Sequence, residues 1–194
     1  LPISIEKTGR LMRDTRQDIL YFWFTESGPT LWAQINEDFD RQVYDRFHVT
    51  YEMAREGVCD HWRNSADGCL ALCLLLDQFP RNMLRGSPEA FTTDSKALLS
   101  AKYAIAKGFD QVLPVIKRRF IYQPFEHSES LSDQRRAVEL FGRMRKADPL
   151  AYEYALRHFE TIRKFGRFPL RNGILGRENT PEENEHLAAQ GANS

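Results

Sequence analysis

The stretch Gly68-Cys69-Leu70-Ala71-Leu72-Cys73-Leu74-Leu75-Leu76-Asp77-Gln78-Phe79-Pro80-Arg81-Asn82 decides the fold. From Leu70 to Leu76 it is apolar without a break, so it lacks the alternation of a half-buried strand, and as a helix it is apolar on every side. Such a helix has to be covered all round, which makes it the centre of a helical assembly. It is expected to run from Ser65 to Phe79, with Pro80 as its stop because proline lacks the N–H that the next helical bond needs.

Outward from this centre, apolar residues recur at helical spacing almost everywhere. Towards the N-terminus a helix is expected from Asp14 to Phe24, ending at the turn Glu26-Ser27-Gly28-Pro29. A second is expected from Asn36 to Glu56, with Phe39, Val43, Phe47 and Tyr51 on one face and Gly57 after its end. Towards the C-terminus, helices are expected at Thr93–Lys107 before Gly108, Pro114–Tyr122 before Pro124, Ser130–Lys146, and Pro149–Phe165 with Asp148 as cap. The last opens at Thr180-Pro181-Glu182-Glu183, a capping box with proline at the first helical position. The expected class is therefore all-α, with seven or eight helices joined by short connections into stacked antiparallel hairpins. No Pro/Gly/Ser-rich linker divides the chain, so residues 1–194 read as one domain with loose ends at 1–13 and 190–194.

The chain has 194 residues, of which 42% are hydrophobic and 28% charged, with Lys+Arg and Asp+Glu balanced at 27 each. That length buries a core without disulfides or metal, and the neutral balance implies neither nucleic acid nor membrane. Cys59, Cys69 and Cys73 form no CxxC and two lie in the apolar run, which fits buried free thiols in a reducing compartment better than a metal or redox role. No apolar stretch reaches the ~20 residues that span a bilayer, and the first residues lack a signal peptide's apolar core, so a cytoplasmic location is expected. Trp23, Trp32 and Trp62 read as packing aromatics.

The polar residues with most to explain are in FPRN (Phe79–Asn82), EHSE (Glu126–Glu129) and FPLRN (Phe168–Asn172). Punctuation at helix ends accounts for the phenylalanines, prolines and asparagines. It leaves Arg81 and Arg171 open between capping helix carbonyls and contacting a ligand. In EHSE, Glu126, His127, Ser128 and Glu129 could serve acid–base chemistry, or Ser128 or Ser130 could cap a helix whose start favours acidic residues. A Ser–His nucleophile lacks the GxSxG elbow, and the histidines have neither the di-iron nor the HExxH spacing, so neither metal nor cofactor is expected. Between Arg157 and Arg177, Arg157, Arg163, Lys164, Arg167, Arg171 and Arg177 face only Glu160, a local net charge of +5. Buried arginines there need acceptors, either Asp77, Glu126 and Glu129 or an anionic ligand. Nucleic acid is disfavoured because the basic stretch is short and carries no known motif.

Taken together, LLLDQFPRN, EHSE, the segment FxxIxxFGRFPxRN that begins after His158, and LGRxxTPEE resemble the bacterial family called domain of unknown function 924, from Asp18 to Leu187. The resemblance implies a tetratricopeptide-repeat-like helical arrangement and leaves the activity unassigned. The motif positions it matches are Asp77, Gln78, Arg81, Asn82, Glu126, His127, Ser128, Glu129, His158, Arg167, Arg171 and Asn172. The family's Phe-Pro-His-Arg-Asn has Leu170 in the histidine's place here, which weakens any mechanism needing a second histidine at that point.

Three functions follow. The first is a binding module in which Arg81, Arg167 and Arg171 receive an anionic small molecule or peptide, Glu126 and Glu129 hold them in its absence, and Asp77, Asn82, His127 and Asn172 complete the site. The second is a hydrolase with His127 or His158 as base, oriented by Glu126, and an arginine on the developing anion. The third is a structural lock between hairpins. The first requires FPRN, EHSE and FPLRN to converge on one cavity; oligomeric state is not specified by the sequence.

Overall fold

Residues 15–191 of the chain are described by a computed structural model, and among them there is no strand. The α-helices are α1 (Thr15–Tyr21), α2 (Pro29–Ala33), α3 (Glu37–Arg55), α4 (Ala66–Cys73), α5 (Phe79–Met83), α6 (Asp94–Ala106), α7 (Val115–Glu126), α8 (Leu131–Met144), α9 (Pro149–Phe165) and α10 (Pro181–Gly191). Because α4 runs into α5 through the π-helical turn Leu74–Gln78, these make nine helical rods among the described residues. The rod not expected is α2, which Pro29 starts after Gly28 takes up φ +90°. Residues 1–14 and 192–194 lie outside the described residues, so the expected N-terminal loose end is among the former, while α10 extends through Gly191.

Side-chain caps place four of the starts. The side chains of Asn36, Ser65 and Asp148 accept the N–H groups of Phe39, Gly68 and Ala151 at 2.9, 3.1 and 3.1 Å, satisfying donors that a helix start leaves free. Thr180 and Glu183 form the reciprocal box, Thr180 N–H to Glu183 Oε2 at 2.8 Å and Glu183 N–H to Thr180 Oγ1 at 3.2 Å.

The central helix is as enclosed as its sequence requires. Every residue from Gly68 to Asp77 is buried, and α4 packs against α1, α6 and α7 while α3 covers α5. Burial of each leucine in that run contributes about 2 kcal/mol. Successive helices α6 to α9 pack each on the next, the pattern of helical hairpins. One apolar cluster joins Ile19 to Ala155, with Phe39, Val43, Phe47 and Tyr51 buried on one face of α3 as their spacing predicts. Cys59, Cys69 and Cys73 are buried and free. Trp23 and Trp32 stack at 5.6 Å. No helix of the described residues is long and apolar enough to cross a membrane.

Two expected stops do not stop. Pro80 occupies the first turn of α5, where its missing N–H costs least. The backbone reaches it by widening into the π turn, in which the Phe79 N–H bonds the Leu74 carbonyl. The Leu76 carbonyl, whose α-helical donor would be the Pro80 N–H, instead accepts the Thr93 hydroxyl at 2.6 Å. Arg81 and Asn82 are consequently helical, not in a turn. Pro124 likewise lies inside α7, which continues to Glu126.

Candidate functional site

The π turn sets Asp77 at the C-terminal end of the central helix, and four chain segments meet there: the π turn with α5, the start of α6, the end of α7, and the 3-10 turn Pro169–Arg171. The Asp77 carboxylate is 1% exposed. His127, the residue that ends α7, directs Nδ1 to it at 2.7 Å from Oδ1 and 2.9 Å from Oδ2. Arg81, one helical turn on, approaches the same carboxylate at 3.1 Å and donates to the Asp77 carbonyl at 2.5 Å. Its outer edge grips Asp94, the first residue of α6, through two parallel bonds of 2.9 and 3.0 Å. Gln78 also donates to Asp77.

Arg171 completes the group from the 3-10 turn. Its Nη2 donates to the His127 carbonyl at 3.0 Å, and its guanidinium lies 4.9 Å from the Phe91 ring centre and 4.5 Å from that of Phe168. The nearest acid is Asp94, at 3.7 Å from Nη1, outside hydrogen-bond range.

The electrostatics follow from this pairing. Burial pushes the Asp77 carboxyl up, but Arg81 and His127 push it down harder and hold it well below the usual carboxylate range. Burial raises Asp94 above its ordinary value, against the pull of Arg81. Arg171 is lowered, by burial first and then by the like charge of Arg81. Arg81 is thus the neutralised arginine and Arg171 the under-compensated one.

A cavity of about 520 Å³ opens over this group. Asp94, His127, Glu129 and Arg171 supply polar wall, and Phe91, Leu98, Pro124 and Leu175 apolar wall. The volume falls in the range of small-molecule sites.

FPRN, EHSE and FPLRN therefore meet in one polar group, through Arg81, His127 and Arg171, but not on one cavity: EHSE and FPLRN supply His127, Ser128, Glu129 and Arg171 to its wall, and FPRN supplies none. Other predicted site residues are engaged elsewhere. Asn82 donates to Asp40 at 2.8 Å, tying α5 to α3 together with Arg85. Arg167 pairs with Glu183 at 2.7 and 2.8 Å, and Asn172, fully buried, donates to Asn179 and Glu183, so this pair fastens α10. The expected grip of Glu126 and Glu129 on Arg81, Arg167 and Arg171 does not form. Glu129 holds Arg177 through bonds of 2.8 and 3.0 Å and accepts the Phe168 N–H at 2.8 Å. Glu126 faces His158, whose Nδ1 is 2.9 Å from Oε1 but misaligned for a hydrogen bond. The orienting acid for His127 is thus Asp77, and Glu126 belongs to the neighbouring histidine, 6.4 Å away ring to ring. Ser128, expected as a cap or hydroxyl of the site, donates to Asp133 at 2.9 Å and accepts the Ser130 N–H.

Sequence reading missed Asp94, Phe91 and Arg177. Asp94 looked like any acid in a first helical turn, and nothing local marks it as the partner of an arginine thirteen positions earlier. Arg177 was visible only as one charge in the basic run. Among the described residues no group of three or more His, Cys, Asp or Glu could hold a metal ion.

The solved structure of a protein of unknown function from Agrobacterium tumefaciens is similar to this chain, at 40% identity and a TM-score of 0.84 over 89% of this chain and 96% of that one. No curated protein matches. The family described as bacterial protein of unknown function DUF924 matches residues 19–191, which include every residue of the cavity, and the chain belongs to that family.

Proposed function

We propose that the cavity binds a small molecule with an anionic group on Arg171 and an apolar body against Phe91, Leu98 and Pro124. The observation that carries this reading is the asymmetry between the two arginines. Arg81 has two acids within 3.1 Å, whereas Arg171 is 15% exposed, lines the cavity and has its nearest acid at 3.7 Å. A buried guanidinium without a bonded acid gains most from an arriving carboxylate or phosphate, since charge-assisted bonds are worth about 1.5–3 kcal/mol. Its stacking between Phe91 and Phe168 keeps the fork in place before the ligand arrives.

The test is thermal stabilisation by phenylacetate, phenyl phosphate, glutarate and inorganic phosphate. A ligand at one hundred times its Kd adds about 2.7 kcal/mol, or roughly 5–11 °C for a chain of this size. Arg171→Met should abolish the shift and Arg171→Lys should reduce it. If no anion stabilises the protein, or Arg171→Met leaves the shift intact, this reading is wrong.

A further inference from the structure

We infer that His127 is the general base and acid of a hydrolytic site, acting on an ester whose acyl part carries the anion bound by Arg171. The inference rests on the binding reading above and adds chemistry to it.

Three observations carry it. The residue is held at ring and main chain: Nδ1 faces both oxygens of the buried Asp77 carboxylate at 2.7 and 2.9 Å, and the His127 carbonyl is gripped by Arg171 at 3.0 Å. Asp77, ionised and shared with Arg81 and Gln78, accepts a hydrogen bond from Nδ1–H, which leaves Nε2 as the basic nitrogen. Among the described residues no side chain or backbone group hydrogen-bonds Nε2, and His127 lines the cavity beside Arg171. A residue needed only to tie α7 to the π turn would require one donor toward Asp77, which an asparagine amide supplies. The second nitrogen is the surplus.

The nucleophile is water. Of the hydroxyls in the cavity wall, Ser128 is committed to Asp133 and Thr92 to the Glu89 carbonyl, Ser95 makes no hydrogen bond to His127, and the three thiols are buried. In the step, the water oxygen bonds to the acyl carbon while Nε2 takes the water proton, and negative charge collects on the former carbonyl oxygen. Collapse breaks the acyl C–O bond, and the imidazolium returns its proton to the departing alkoxide. The products are a carboxylic acid and an alcohol, with His127 restored. Asp77 is a positioning residue, stabilising the imidazolium without taking its proton.

Mono-4-nitrophenyl glutarate and neutral 4-nitrophenyl butyrate are the probes, with glutarate binding followed separately by thermal shift. Wild type should hydrolyse the glutarate ester at least about 100-fold faster than His127→Asn, which keeps the donor to Asp77 and lacks the base. Arg171→Met should remove the preference for the charged ester. Equal rates for wild type and His127→Asn, with glutarate still bound by both, would overturn the base and leave the binding reading standing. Absence of glutarate binding to wild type would instead overturn the binding reading, and this inference with it. Should His127→Asn not fold, diethyl pyrocarbonate on the unaltered protein decides. His127 should be carbethoxylated faster than the exposed His61 and be protected by glutarate; modification slower than at His61, or unaffected by glutarate, overturns the assignment.

Discussion

Replacing Arg81 by methionine isolates what the buried charge network contributes to the fold. The substitution keeps most of the side chain's volume and removes the cation between Asp77 and Asp94, which it contacts at 3.1 and 2.9 Å. Breaking a buried pair from one side costs about 3–5 kcal/mol, because the remaining charge stays desolvated. Arg81 and Asp94 keep 22% and 20% of their side-chain surface, and Asp77 retains His127 and Gln78, so the lower end applies, about 3 kcal/mol. For a chain of this length that lowers Tm by roughly 6–12 °C. Urea unfolding is the assay, with Arg81→Met/Asp94→Asn as the second variant. Neutralising the acid that Arg81 held bidentately should recover about 1–2 kcal/mol, a coupling of the size neighbouring charges show. A carboxyl held below its ordinary value stabilises the fold above the unfolded pKa, about 3.9 for Asp, and that contribution is lost as pH falls through the folded value. Arg81→Met should therefore flatten the Asp77 part of the acid limb. A loss under about 1 kcal/mol, or no recovery in the double variant, would refute the view that Arg81 is spent on the two acids.

Four further outcomes are expected. Gly68→Ala places a Cβ 1.8 Å from the Trp62 carbonyl oxygen, a backbone atom that cannot step aside, so it should cost several kcal/mol or prevent folding, as circular dichroism would show. Glu183, held down to about 2 first by its bonds from Arg167 and then by the Thr180 N–H, favours the fold above its ordinary pKa of 4.5. Stability should fall as pH drops from 4.5 towards 2, and Glu183→Gln should remove part of that slope in acid titrations of urea midpoints. Asn82→Ala leaves Asp40 with Arg85 alone and should cost about 1–2 kcal/mol without altering anion binding. Burial raises all three thiols, Cys69 to about 11, so native protein should react with Ellman's reagent far more slowly than protein unfolded in urea.

The fold was largely legible because helix starts and central burial are local properties. The unbroken apolar run, the four-residue steps of α3 and the Thr180–Glu183 box each carry their meaning within a few residues. Pro80 misled because the deciding atom is remote. Thr93, thirteen residues beyond Pro80, supplies the hydrogen bond that proline removes from the Leu76 carbonyl. That FPRN, EHSE and FPLRN meet in one polar group could be anticipated, since two arginines and an acidic cluster exceeded what helix punctuation demands; that FPRN stays out of the cavity wall could not. Who pairs with whom could not, because Asp77 to His127, Asp94 to Arg81 and Glu129 to Arg177 join residues on different elements. Charge alone does not rank such partners; the packing of α5, α6 and α7 does.

Whether Arg171, and not Arg81 or Arg167, receives the anion is read by NMR titration of side-chain Nε–Hε resonances with phenylacetate. Saturable shifts are expected at Arg171 with the same Kd as shifts of the His127 ring, while Arg167, fastened to Glu183, stays unmoved. Shifts confined to other arginines, or none at ligand concentrations that stabilise the protein, would contradict the assignment of the anion to Arg171.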